Sequence, residues 1–263
     1  MYIFLAQILT ILLPYGTGDA LSPIECESRS FETVFDTNVH VDASVSYPRV
    51  PETSLLARYV NEAVRKESHE LYDIFVQEMS APQEELWEED ADERTLRYGL
   101  DLVYSTPVLM SFYGSKYVYS GGVHGSVQYI TKTFWQQGDT IHELSLDDLF
   151  LPGSREWLFR HCEDYFKLNR CGYYSDDDYS WVGFNSEDLD AFLLTEKGLL
   201  LIFQNYVVSG YDDDPMTLLI PYSKLVSIVN PDSPLPLLSE SNSVDHLWTT
   251  GVQKSAINDN SSR

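Results

Sequence analysis

Residues 117–129 read Y-V-Y-S-G-G-V-H-G-S-V-Q-Y, two strand-like segments separated by the run S-G-G-V-H-G. Aromatic and β-branched side chains at alternating positions indicate half-buried β-strands. A short segment rich in glycine between two such strands is typical of a hairpin, so the stretch predicts an antiparallel strand pair. The glycines at 121, 122 and 125 either form the turn or allow another group to come close to the backbone.

The segments on both sides of this hairpin continue the strand pattern. Neighbouring strands are close enough along the chain to pair as further antiparallel hairpins. The additional strand segments are residues 39–47, 98–104, 108–113, 199–203 and 216–220.

Two helices interrupt the strands. After Thr53 and Ser54, either of which is a suitable N-cap, apolar residues recur every three or four positions over about 25 residues. A second helix is expected from Ser154 onward. Strands and helices do not alternate as in a parallel α/β protein, so the sequence predicts an α+β fold with two helices packed on a mainly antiparallel sheet.

Charge narrows the range of partners. Acidic residues number 41 and basic residues 17, which gives a formal net charge of −24. A surface of this kind repels phosphate backbones and anionic lipids and attracts cationic partners. We therefore expect no nucleic-acid partner.

The first twenty residues have the pattern of a secretory signal peptide, although the usual basic segment at the start is absent. An apolar run from Tyr2 to Leu13 precedes the small-x-small sequence of residues 18–20. The alternative is a buried N-terminal strand or helix. The run is too short for a bilayer, which requires about 20 residues, and no later segment is long enough for a stable membrane span. The mature protein is therefore expected to be periplasmic or secreted, with residues 1–20 as the signal.

Three cysteines are too few for a disulfide scaffold. Cys162 and Cys171 flank the expected end of the second helix, which permits a disulfide in an oxidising compartment and leaves Cys26 without a partner. The alternative is that all three are free thiols.

No catalytic or metal-binding motif stands out, and we predict no cofactor. Ser120, His124 and a carboxylate would make up a Ser-His-acid set, but the Gly-x-Ser-x-Gly motif is missing. His124 is better interpreted as a turn histidine whose ring bonds to the backbone. No zinc motif occurs, and Trp181 stands where a calcium loop starting at Asp176 would need glycine.

Binding is the interpretation that the tyrosines favour. These side chains are large, rigid and amphipathic, and beside a glycine-rich loop they suit a carbohydrate or a protein surface. The alternative is that they fill the core of the sheet. The tyrosines concerned are Tyr117, Tyr119, Tyr129, Tyr206 and Tyr211.

A family resemblance supports this interpretation. Five segments, in order, resemble the extracellular C-terminal domain of RsiV-type anti-sigma factors, a domain that also accompanies peptidoglycan deacetylases of the PdaC type. Residues 34–80 resemble the smaller module that precedes it in those proteins. The five segments are residues 109–113, 119–125, 144–150, 192–206 and 220–225.

The resemblance implies a division of the chain into an N-terminal strand-helix module at 21–100 and an RsiV C-terminal-like domain at 101–230. Residues 231–263, rich in Pro, Ser and Asn, are expected to form a disordered tail. By matching positions, the loop after β-strand residues 117–119 and the segment after Tyr206 would form a recognition edge. The implied binding residues are Tyr119, Ser120, Gly121, Gly122, His124, Gly125, Tyr206, Tyr211 and Pro215.

In RsiV this domain recognises lysozyme. We find neither a sigma-binding segment nor a deacetylase domain in the sequence, so we expect a binding function without catalysis. The expected ligand is a cationic protein similar to lysozyme or a glycan derived from peptidoglycan. The alternative is a hydrolase of envelope polysaccharide, or a module that accompanies a deacetylase, using carboxylates that the sequence does not single out.

Overall fold

The computed structural model describes residues 25–34, 40–80, 93–121, 123–169, 183–208 and 215–241. Within these ranges the chain forms one six-stranded and one three-stranded sheet, with helices packed against them. The predicted α+β class is confirmed. The signal peptide predicted at 1–20 lies outside the described residues and stays a prediction.

The strands are numbered in chain order. They are β1 (Glu25–Val34), β2 (His40–Arg49), β3 (Glu93–Ser105), β4 (Leu109–Tyr119), β5 (Ser126–Gln137), β6 (Thr140–Glu143), β7 (Phe192–Leu194), β8 (Leu199–Phe203) and β9 (Met216–Ile220). The helices are α1 (Leu55–Ser80), α2 (Ser154–Asn169), α3 (Tyr222–Leu225) and α4 (Leu235–Ser241), with 3-10 turns at Leu146–Leu149 and Ser186–Leu189.

The larger sheet has the order β1-β2-β3-β4-β5-β6, and its pairs are antiparallel except for β2 with β3. These two strands are parallel because α1 carries the chain back across the sheet between them, and a parallel pair requires such a crossover. The expectation of a mainly antiparallel sheet is correct, but the parallel pair was not predicted.

Two features of the sequence explain why α1 forms: an N-cap residue at its start and an apolar stripe along one side. The hydroxyl oxygen of Ser54 accepts a hydrogen bond from the Ala57 N–H at 3.0 Å, as an N-cap does. Leu56, Val60 and Val64 are buried in the core between α1 and the sheet. This helix therefore covers one face of the larger sheet.

An ion pair joins the same helix to the sheet. Lys132 on β5 donates from Nζ to Glu67 of α1 at 2.7 Å and to Glu143 of β6 at 2.9 Å. The Lys132 side chain is largely buried between these two carboxylates, which satisfy its charge.

Two apolar cores lie on opposite faces of the larger sheet. One lies under α1 and includes Phe112 and Phe134. The other contains Leu109, Trp135 and Phe166 together with the smaller sheet, and it lies on the side away from α1. The side chains alternate along β4 and β5, so neighbouring residues of one strand enter different cores.

The expected boundary between residues 100 and 101 falls inside a strand. β3 pairs with β2 through residues 93–99 and with β4 through residues 95–105. The predicted N-terminal module and the domain after it therefore share one continuous sheet.

The chain also differs from expectation after residue 230. Residues 231–241, which the composition places in a disordered tail, include helix α4, and its Leu235 and Leu238 are buried in the second core. Apolar contacts with the core offset the polar composition of this segment. The remainder of the expected tail, residues 242–263, lies outside the described residues. No helix in the described part of the chain is long and apolar enough to cross a bilayer.

Candidate functional site

The loop of the β4-β5 hairpin is built on a regular ladder. Pairing of the two strands begins at Val118 opposite Ser126, and residues 120–125, called here the hairpin loop, connect them. Gly121 has a φ of 103°, a conformation that favours glycine. The sequence prediction of an antiparallel hairpin is confirmed, and Gly122 lies outside the described residues.

Gly125 has a different role from Gly121. A Cβ atom at Gly125 would lie 2.4 Å from ring atoms of Tyr117, so the backbone there is in close contact with the tyrosine ring. Next to it, Nδ1 of His124 lies 3.0 Å from the carbonyl oxygen of Gly125. His124 is thus an exposed turn histidine bonded to the backbone, as its interpretation from the sequence held, and its implied binding role stays a prediction.

Val123 at the apex of the hairpin loop is 99% exposed. Ser120 and His124 are exposed as well, and Tyr119 at the end of β4 is half-buried. Val123 was not among the predicted binding residues. The sequence could have identified Val123, because it is the apolar residue in an otherwise polar and glycine-rich run.

Tyr206 follows β8 and is 59% exposed. Its φ of 67° is unusual for a residue other than glycine, and such conformations concentrate at functional positions. Two residues earlier, the Gln204 amide bonds to the backbone of Tyr129: it donates to the carbonyl oxygen and accepts from the N–H, both at 2.7 Å. This pair of bonds fixes the end of β8 to β5, three residues from the start of that strand.

Pro215 is half-buried immediately before β9. Tyr211 lies outside the described residues. Two parts of the predicted recognition edge are therefore described. The hairpin loop lies at one end of β5, and Gln204 anchors the segment that contains Tyr206 to the same strand.

Three of the predicted tyrosines, Tyr117, Tyr119 and Tyr129, belong to one face of the larger sheet. Even-numbered Phe112 of β4 is buried under α1, so the odd-numbered residues of β4 point to the opposite side. Tyr129 of β5 pairs with Ser115 of β4, so its side chain also lies on the side of the sheet away from α1. We call this set the tyrosine face, and its members, all half-buried, are Tyr113, Tyr117, Tyr119 and Tyr129.

The sequence analysis included Tyr113 only within the family segment 109–113. The register of β4 with β5 shows that Tyr113 is a neighbour of Tyr129. Its ring lies parallel to that of Tyr129, with an angle of 10° between the planes and 6.3 Å between the centroids. The two residues are diagonal neighbours, because Tyr113 pairs with Thr131 and Tyr129 with Ser115. Both rings are half-buried, and the binding role predicted for Tyr129 stays a prediction.

A cleft of about 290 Å³, called here the junction cleft, lies where the two sheets meet. Phe192 of β7 forms part of its wall, and its N–H donates to the Thr131 hydroxyl at 3.1 Å. The polar side chains that line it are Thr131, Thr133, Ser145, Asp147, Arg155 and Asp190.

Arg155 organises one wall of the junction cleft. Its guanidinium donates to Asp147 at 3.2 Å, to Asp190 at 2.5 Å and to the carbonyl oxygen of Ser186 at 2.8 Å. These bonds connect the start of α2 to both 3-10 turns. The two carboxylates remain largely exposed, so they keep acceptor positions toward the cleft.

Cys162 of α2 is a free thiol buried in the second core. Burial raises its pKa from 9.0 to about 12, since the thiolate would be formed without water. Cys171, its predicted disulfide partner, lies outside the described residues, and Cys26 belongs to β1. The predicted disulfide between Cys162 and Cys171 therefore stays a prediction.

Metal binding has no structural support in the described residues. No group of three or more His, Cys, Asp or Glu side chains among them is placed to hold a metal ion.

A solved structure shares the fold. A DUF3298 family protein from Pseudomonas aeruginosa aligns with a TM-score of 0.50 and 18% identity, over 80% of this chain and 96% of that one. A member of the same family from Bacteroides fragilis aligns with a TM-score of 0.49 and 15% identity, over 84% of this chain and 98% of that one. No protein-family model matches the sequence, and no curated protein is significantly similar.

At 18% identity, the similarity to the Pseudomonas aeruginosa protein shows the fold alone. It carries no information on the ligand.

Proposed function

We propose that this protein is an exported, non-enzymatic binding protein of the bacterial cell envelope, periplasmic or secreted, that recognises a cationic protein similar to lysozyme through the hairpin loop. The observation that carries the proposal is the fully exposed side chain of Val123 at the apex of that loop. An exposed apolar side chain that projects from a surface is suited to a pocket on a partner.

The base of the hairpin loop supports such a role. Contact between Gly125 and the Tyr117 ring, and the bond between His124 and the Gly125 carbonyl, constrain the backbone beside Val123. A loop that is ordered before binding loses less conformational entropy when a partner docks.

Charge supports a basic partner. A net charge of −24 produces a long-range field that attracts cationic proteins and accelerates encounter, while the loop supplies specificity. Lysozymes are commonly basic, and the resemblance to RsiV-type domains points to the same ligand.

A glycan derived from peptidoglycan is the second candidate, and the tyrosine face is the observation in its favour. The third possibility, a polysaccharide hydrolase, requires a pair of carboxylates with separate roles. Asp147 and Asp190 line the junction cleft, but both are bonded to Arg155. The geometry of this cleft therefore favours binding over hydrolysis.

Binding of hen lysozyme to the immobilised protein at low and at moderate salt tests the proposal. We expect binding that weakens as salt screens the charges. Val123→Asp should reduce affinity by about 10-fold or more, because the apolar contact is lost. Val226→Asp is the matched control: this valine is 67% exposed beside α3, far along the chain from the hairpin loop, and its replacement should leave binding unchanged.

A protein that ignores lysozyme at both salt concentrations would remove this ligand. Equal loss of binding in the Val123 and Val226 variants would show that added negative charge acts without regard to position, and the hairpin loop would then not be the contact.

A further inference from the structure

The half of the tyrosine face that lies away from the hairpin loop adjoins the junction cleft. Tyr113 pairs with Thr131, and Thr131 lines the cleft. Tyr113 lies five residues before Val118, the last paired residue of β4 next to the hairpin loop, which is about 17 Å along the strand. An aromatic surface and a polar cleft are thus continuous with each other and separate from the apex of the loop.

We propose that these two features form one binding site for a glycan chain. The rings of Tyr113 and Tyr129 stack on sugar rings, and the junction cleft holds a terminal sugar. This site gives the second candidate, a glycan, a defined location and does not depend on recognition of a cationic protein.

The geometry of the tyrosine pair suits stacking. Its centroid separation of 6.3 Å is too long for two rings that overlap completely, so the rings are offset, and part of each face is not covered by the other. Both side chains keep some exposure to solvent. A pyranose ring has an apolar face of C–H groups that packs on an aromatic ring, and adjacent parallel rings can accept successive units of a linear chain.

The cleft supplies the polar part of the recognition. Hydroxyl groups of a sugar both donate and accept hydrogen bonds, and the Thr131 hydroxyl, the Arg155 guanidinium and the Asp190 carboxylate offer partners of both kinds. The volume of about 290 Å³ lies just below the usual range for ligand sites, roughly 300–1,000 Å³. A single hexose unit is a ligand of suitable size.

Charge selects among glycans. The protein carries a net charge of −24, and both Asp147 and Asp190 face the cleft. Polymers rich in uronic acid or phosphate are repelled by such a surface. The occupant is therefore a neutral glycan or one that bears free amines.

Calorimetric titration with defined sugars tests the proposal. The ligands are cello-, chito- and glucosamine oligosaccharides, the corresponding monosaccharides, and alginate oligosaccharides as the anionic comparison. We expect the neutral or amine-bearing oligosaccharides to bind more tightly than their monosaccharides, and alginate to bind more weakly than either.

Substitutions of Tyr113 and Tyr129 distinguish the contribution of the tyrosine rings from that of the junction cleft. Tyr113→Leu and Tyr129→Leu should each weaken oligosaccharide binding by about 2- to 10-fold and leave monosaccharide binding unchanged, because the cleft is intact. Tyr113→Phe and Tyr129→Phe keep the rings and should bind as the wild type does. The matched control is Tyr59→Leu, which removes a tyrosine of α1 that is 45% exposed and packs on Phe134 under the other face of the sheet.

Several results would overturn the proposal. One is the absence of binding by every neutral and amine-bearing oligosaccharide at millimolar concentration. Another is wild-type affinity in leucine variants that circular dichroism shows to be folded. A third is loss of lysozyme binding in Tyr113→Leu without any change for sugars, which would assign this face to a protein partner.

If a leucine variant does not fold, an NMR measurement on the unmodified protein still tests the proposal. Addition of a binding oligosaccharide should shift the NMR signals of Tyr113, Tyr129 and Thr131, whereas shifts confined to the hairpin loop would contradict the assignment. Lysozyme should instead perturb Val123, so failure of one proposal is distinguishable from failure of the other.

Discussion

At position 125, the space for a side chain is already occupied by the Tyr117 ring. Gly121, in the same loop, is required for another reason, since its φ of 103° is unfavourable for other residues. The sequence offers both explanations for the glycines of this loop, a turn and a close approach, and each proves correct at a different residue.

Gly125→Ala should destabilise the protein by about 1–3 kcal/mol, because the new methyl group would lie 2.4 Å from the Tyr117 ring and either the ring or the loop must move. The free energy of unfolding in urea measures the change. In a Tyr117→Ala background the same substitution should cost less, since the obstructing ring is absent. Equal costs in both backgrounds would show that the contact is not responsible.

Among the elements, α1 has the boundaries that its sequence pattern predicts. Its N-terminus is defined by Ser54, and its apolar stripe faces the sheet. The pairing of the strands could not be predicted in the same way, because alternation of apolar and polar residues identifies a strand without identifying its partner. β2 and β3 are parallel for a reason found only in the path of the chain through α1.

Ser54→Ala should lower the free energy of unfolding by about 1 kcal/mol, since the Ala57 N–H loses its acceptor in the first turn of α1. Thr53→Ala is the control, because the Thr53 hydroxyl makes only a long bond of 3.5 Å to the Pro51 carbonyl in an exposed position. Its replacement should change stability by less than about 0.5 kcal/mol. If the two variants were equally destabilised, Ser54 would not be the effective cap.

For the whole molecule, burial of weak acids predicts sensitivity to alkaline pH. Burial raises the pKa of Cys162 from 9.0 to about 12 and the pKa of Tyr98 from 10.0 to about 12. It also raises the pKa of Tyr222. All three side chains are buried in their neutral form, so unfolding at high pH releases protons that the folded protein retains.

Stability should therefore be fully retained below pH 9 and fall as pH rises from about 9 to about 12. Each group contributes up to about 1.4 kcal/mol per pH unit within its own range. Denaturant unfolding at a series of pH values measures this fall. In Cys162→Ala the decline should start near pH 10, where Tyr98 begins to contribute, and a constant stability between pH 9 and 12 would contradict the prediction.

The sequence by itself determined the α+β class, a helix cap at Thr53 or Ser54, the β4-β5 hairpin and the interpretation of His124 as a turn residue bonded to the backbone. These depend on local periodicity and on side chains that act on their own neighbours in the chain. Only the tertiary structure decided the parallel β2-β3 pair, the ordering of α4, the alignment of Tyr113 with Tyr129 and the cleft between the sheets. Each of these requires contacts between residues distant in sequence, and such contacts arise when apolar faces are buried together.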